Sequence, residues 1–182
     1  VRVLFVGINP GLRSAATGHH FAGYSNRFWK LLYDSGLVDE PITCVDDHRL
    51  PEWGFGITNL VPRATAGIDA LAPGEYQAGR RSLARKIARF RPAVVALVGV
   101  TLHRALFGAR PVRLGLQADR LAGARVFVLP NPSGRNAHFS YQDMRRAFTA
   151  LARYRRRLQR SEPPGVTADA ASGYHARRVP PR

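Results

Sequence analysis

Two short segments concentrate residue types that could do chemistry, Gly7-Ile8-Asn9-Pro10-Gly11 and Asn131-Pro132-Ser133-Gly134. In each, glycine lets a ligand approach the backbone closely, proline restricts the local path, and asparagine offers an acceptor and donors on one short side chain. Taken alone, either loop is adequately explained as a turn. The adjacent pair His19-His20 is the other titratable feature, and two exposed loop histidines are its plain reading. Adjacent side chains rarely converge on one ion and no cysteine or acidic residue stands close in the chain, so no metal site is expected. Phosphate loops are missing as motifs. There is no Gly-x4-Gly-Lys-Ser/Thr segment, and residues 7–11 do not fit Gly-x-Gly-x-x-Gly.

Both asparagine loops follow apolar runs that read as buried strands, Arg2-Val3-Leu4-Phe5-Val6 and Arg125-Val126-Phe127-Val128-Leu129. After the first comes an unusually long polar stretch to Tyr24. Ser25 or Asn26 can then cap a helix carrying Phe28, Trp29, Leu32 and Tyr33 and stopped by Gly36. Residues 37–53 read as irregular, and residues 54–61 as a second strand ended by Pro62. Tyr76, Leu83, Ile87 and Phe90 fall near helical spacing, which predicts an amphipathic helix over 74–91. Residues 93–98 form another apolar run, with a short helix predicted over 101–107. Ser140 and Asp143 resemble the cap of a final helix reaching about Gln159. Alternating strands and helices predict an α/β/α sandwich with a mainly parallel sheet, in which ligands sit beyond the carboxyl ends of the strands.

The 182 residues hold 28 Lys+Arg and 12 Asp+Glu, a net charge of +16, with Lys30 and Lys86 the two lysines. Such an excess suits a polyanionic partner, yet arginine-rich, alanine-rich composition is also what a G+C-rich genome writes into any protein. The globular composition, 45% hydrophobic, predicts one folded domain over 1–160. Residues 161–182, with four prolines and isolated charges, are expected to be a disordered basic tail. A single cysteine, Cys44, excludes an internal disulfide framework and a CxxC zinc site. No apolar run approaches the roughly 20 residues of a membrane span, so a cytoplasmic protein without membrane association is expected. The first residue is Val1 rather than Met, which fits either an upstream start or a non-standard start codon read literally.

Taken in order, Gly7-Ile8-Asn9-Pro10-Gly11-Leu12, Gly18-His19-His20-Phe21 and Asn26-Arg27-Phe28-Trp29-Lys30 resemble the mismatch-specific uracil and thymine DNA glycosylases of the uracil-DNA glycosylase superfamily. Gly56-Ile57-Thr58-Asn59-Leu60-Val61-Pro62-Arg63-Ala64-Thr65 resembles their second motif, and Leu129-Pro130-Asn131-Pro132-Ser133-Gly134 their DNA-penetrating loop. The resemblance covers about residues 1–155. It implies a glycosylase domain of the uracil-DNA glycosylase-like sandwich fold, which cuts the N-glycosidic bond of a mispaired uracil or thymine. The nucleotide must first be extruded from the stack into a pocket.

By this resemblance Asn9 positions the attacking water. An asparagine cannot take a proton at neutral pH, but an oxocarbenium-like sugar demands a well-placed nucleophile more than a strong one. Phe21 stands where an aromatic ring stacks on the flipped base, and Ile8 and Phe21 where main-chain groups meet the base edge. His20 matches a histidine of the thymine-processing branch, able to donate to charge developing on the leaving base. Ser14 falls near carbon 5 of the base, which implies uracil preferred over thymine by a modest margin. Asn59 matches a polar position that holds water or the base, with a structural hydrogen bond as the equal alternative.

Gly134-Arg135-Asn136 aligns with the residues that fill the gap in the duplex. Arg135 replaces the leucine of some members and can both stack there and bond to the unpaired guanine. Asn131 belongs to the same DNA-binding loop, and Ser133 is a candidate phosphate contact. The expected protein is thus a monomeric, cofactor-free and metal-free glycosylase acting on double-stranded DNA with G·U or G·T mismatches. The competing expectation is a non-catalytic DNA-binding module of the same fold.

Overall fold

A computed structural model describes residues 1–161, and the expected disordered tail falls outside these residues except for Ser161. Five strands make one sheet in the order β2-β1-β3-β5-β4. They are β1 (Val3–Gly7), β2 (Phe55–Asn59), β3 (Val94–Val98), β4 (Gly115–Leu121) and β5 (Ala124–Leu129). The first three and β5 run parallel, and β4 is antiparallel on β5.

Side chains alternate across these strands, so β1, β3 and β5 each bury two apolar sets. Val3, Phe5, Val94, Ala96, Val98, Phe127 and Leu129 face one layer, which α2 (Phe28–Asp34) and α5 (Tyr141–Ser161) complete with Phe28, Leu31, Phe148 and Leu151. Leu4, Val6, Val95, Leu97, Val126 and Val128 face the other, closed by Leu83 and Ile87 of α3 (Pro73–Phe90) and Leu102 and Leu106 of α4 (Val100–Phe107). The result is the three-layer α/β/α sandwich expected of the alternating pattern. Burial on both faces explains why β1, β3 and β5 read as continuous apolar runs rather than alternating ones.

The structure departs from expectation in three places. The stretch 7–24 is not one long loop, because α1 (Leu12–Thr17) lies within it, ending at Gly18 with φ 76°. That helix buries none of its residues, so it leaves no apolar periodicity in the sequence. Residues Cys44–Trp53, expected to be irregular, form a 3-10 helix with Thr43 and Asp46 in a reciprocal cap. And β4 arises from a segment with no apolar run, since an edge strand bearing Gln117, Asp119 and Arg120 is half exposed along its length.

The helix starts follow local chemistry. Asn26 Oδ1 accepts the Phe28 N–H at 3.0 Å, so neither Ser25 nor Asn26 is the N-cap of α2, which is Arg27, but Asn26 satisfies its first N–H from one residue further out. Ser140 and Asp143 cap α5 reciprocally, each accepting the other's backbone N–H at 3.1 Å. Among the described residues no helix is long and apolar enough to cross a membrane.

Candidate active site

Because β1, β2, β3 and β5 are parallel, their carboxyl ends share one edge of the sheet. A cleft of about 880 Å³ opens there, lined by the strand-end residues Gly7, Asn59 and Val98 and by both asparagine loops. It lies where the strand order turns outward on either side of β1 and β3, the usual place for a ligand in such a sheet.

Asn9 enters the cleft from the end of β1. Its Nδ2 donates to the Arg63 carbonyl at 3.0 Å and to Thr65 Oγ1 at 2.7 Å. A carbonyl can only accept, so the amide orientation is determined, and Oδ1 is the atom free to accept a hydrogen bond from a ligand or water. Thr65 is buried, and its hydroxyl donates onward to the Gly67 carbonyl at 2.7 Å. The Arg63 side chain is itself braced on Glu75, whose carboxyl that guanidinium holds down at about 2. Two backbone bonds, Leu60 N–H to the Gly7 carbonyl and Val61 N–H to the Ile8 carbonyl, both 2.8 Å, hold the two segments side by side.

Phe21 lines the cleft with one ring face stacked on Phe28, centroids 4.3 Å apart and planes at 24°. Its backbone is left-handed, φ 50°, which an L-residue adopts only under constraint. The constraint comes from both sides. Ala22 N–H bonds to Ser14 Oγ at 3.0 Å, His20 N–H to Asp47 Oδ2 at 3.1 Å, and the His20 carbonyl accepts Trp29 Nε1–H at 3.1 Å. Gly7 is needed beneath this ring, since a Cβ there would sit 2.6 Å from Asn59 Oδ1 and 3.3 Å from Phe21 Cζ. Ser14, Phe21 and Asn59 therefore gather around Gly7 and Asn9 in one cleft. His20 is not among the residues lining it.

The sequence near His19-His20 holds no acid, but the 3-10 helix brings Asp47 to them, 3.3 Å from His19 Nδ1. That corrects the expectation that no acidic residue lies near this pair, because proximity here is set by packing and not by chain distance. Burial pushes the His20 imidazole below its ordinary pKa, with Lys86 and His19 acting in the same direction and Asp47 opposing. His20 is accordingly neutral at neutral pH.

The second loop is braced internally. Asn131 Oδ1 accepts the Ser133 N–H at 3.0 Å, Ser133 Oγ accepts the Arg135 N–H at 3.3 Å, and Asn136 Nδ2 donates to the Asn131 carbonyl at 2.8 Å. It is docked on the start of α2 through Arg27 N–H to the Pro132 carbonyl at 2.9 Å. Gly134 lies so close to Ser25 that a Cβ would come within 2.5 Å of the serine Cβ. Beyond that contact Arg135 is exposed at the rim. Among the described residues, none that lines the cleft is an aspartate or glutamate.

A family model described as the uracil DNA glycosylase superfamily matches residues 1–153. The chain belongs to the uracil DNA glycosylase superfamily. The matched span runs from β1 through most of α5 and includes every residue that lines the cleft. Superfamily membership indicates a DNA glycosylase, a hydrolase of the bond joining base to deoxyribose. In this glycosylase an aromatic face, a fixed amide and two neutral loops meet in one cleft of about 880 Å³. Thr65, Asp47 and the Arg63–Glu75 brace went unassigned in the sequence. Of these, Arg63 and Thr65 carried a signal there, as residues of the second motif.

Proposed function

We propose that this glycosylase removes uracil, and more slowly thymine or alkylated cytosine, mispaired with guanine in duplex DNA, in the manner of the mismatch-specific branch of its superfamily. The orientation of Asn9 carries the reading. With Nδ2 held by Arg63 and Thr65, Oδ1 is left to accept a hydrogen from a water and aim its oxygen at the sugar carbon. Among the described residues no carboxylate lines the cleft to act as a stronger base, so the rate relies on positioning and on a sugar that becomes electron-deficient as the bond breaks. The water's oxygen bonds to that carbon, the base leaves with the bonding pair, and the water's proton passes to solvent.

Phe21 offers its remaining face to the extruded base, and such stacking is worth about 1–3 kcal/mol. Ser14 leaves limited room beside carbon 5, because its hydroxyl is fixed on the Ala22 N–H. Arg135 fills the vacated position in the duplex and favours an unpaired guanine opposite. The enzyme works as a monomer, without cofactor, among the chromosomal DNA of the cytoplasm.

The test is incubation with a labelled duplex carrying one G·U pair, followed by alkaline cleavage at abasic sites. Cleavage by wild type and its loss in Asn9→Ala, with DNA binding retained, is the expected result. A folded, DNA-binding wild type that cuts nothing would favour a non-catalytic DNA-binding module of the same fold.

A further inference from the structure

The mouth of the cleft carries an aromatic side chain that the fold leaves uncovered. Tyr24 is 89% exposed. It is nevertheless held, because the guanidinium carbon of Arg13 lies over the ring, 3.4 Å from its centroid. Arg13 in turn donates from Nε to the Ala22 carbonyl at 2.7 Å. That is the one hydrogen bond its side chain makes among the described residues, and it leaves both terminal nitrogens of a planar fork pointing to no protein partner. A fork of that shape matches two oxygens of a phosphodiester.

The pair is also in the right place. Tyr24 adjoins Ser25, against which Gly134 packs, so Arg13, Tyr24 and Arg135 share one rim of one cleft. Among the described residues no acidic side chain lines that cleft to neutralise Arg13. A duplex whose nucleotide has been extruded into the cleft must carry its backbone across this rim.

We propose that Arg13 and Tyr24 form a clamp on the target-strand backbone, the guanidinium pairing with a phosphate beside the extruded nucleotide and the ring packing on its deoxyribose. This rests on the reading of the cleft as the site of an extruded nucleotide. An internal control exists in Arg89, which lies over Phe90 at 5.3 Å, with Phe90 48% exposed. That pair ends α3 just before β3 begins, at the opposite edge of the sheet.

The test is fluorescence anisotropy on a labelled duplex with a non-hydrolysable abasic analogue opposite guanine, measured over a salt series. Loss of one phosphate contact makes the slope of log K against log salt shallower by about 0.9. Arg13→Gln should show that change, while Arg13→Lys and Arg89→Gln keep the wild-type slope. Tyr24→Ala should weaken binding several-fold with its slope unchanged, and Tyr24→Phe should bind as wild type. A wild-type slope in Arg13→Gln, or equal losses in Arg13→Gln and Arg13→Lys, would overturn the clamp while leaving the function of the cleft intact. A wild type that fails to bind this duplex at low salt would remove the reading of the cleft, and the clamp with it.

Discussion

The Asn9 amide nitrogen lies 2.7 Å from the hydroxyl oxygen of Thr65, and that hydroxyl donates its own hydrogen bond to the Gly67 carbonyl at 2.7 Å. A side chain of the first motif is thus oriented by one from the end of the second, 56 positions away. Each bond in this chain has a defined direction, which leaves Asn9 Oδ1 as the acceptor facing the cleft.

Thr65→Ala should therefore slow single-turnover excision of uracil about tenfold, the equivalent of a net hydrogen bond near the upper end of ~0.5–1.5 kcal/mol. DNA affinity should stay as it is, and Thr65→Ser should restore the rate. An undiminished rate in Thr65→Ala would mean that the Arg63 carbonyl alone orients the amide.

Gly7→Ala tests the crowding beneath the ring. The added methyl would meet Asn59 Oδ1 at 2.6 Å and Phe21 Cζ at 3.3 Å, an overpacking that costs about 1–3 kcal/mol. Denaturant unfolding should show that loss. Adding Asn59→Ala should recover part of it, because the two positions share the clash. Additive effects in the double variant would contradict the contact.

His20 makes a pH prediction. Its folded-state pKa is lowered, first by burial and then by Lys86 and His19. Below the ordinary value of 6.5 the unfolded chain takes up this proton before the folded one does. The stabilising difference is thus fully present above 6.5 and is lost as pH falls through the lowered folded value. Thermal unfolding of wild type should decline across that window more steeply than that of His20→Asn. Parallel curves would argue against a half-buried imidazole that resists protonation.

Arg135 is exposed at the rim, so its truncation should leave the fold unchanged. Arg135→Ala should reduce excision from a G·U duplex by about tenfold while sparing single-stranded substrate, since only the duplex requires a few kcal/mol of unstacking. Equal loss on both substrates would remove it from the role of wedge.

The elements that position the cleft were legible for physical reasons. β1, β3 and β5 are buried on both faces, and sequences that must satisfy two apolar layers show unbroken hydrophobic runs. α3 and α5 each bury one stripe and show helical spacing. β4 and α1 escaped because neither is buried deeply enough to impose a pattern. Within the site, Asn9 and Phe21 stood out through ordered motifs, whereas Asp47 could not, since nothing in a run of polar residues at 46–48 says which atoms they will reach.

The sequence by itself determined the superfamily, the α/β/α layering and the two asparagine loops, because these depend on residue type and order. Only the tertiary structure decided which atom of Asn9 faces the cleft, that Asp47 and Trp29 hold the His20 backbone, and that Arg13 braces Tyr24 beside Arg135. Such relations join positions brought together by packing, and a hydrogen bond depends on ångström-scale distances and directions that no spacing along the chain encodes.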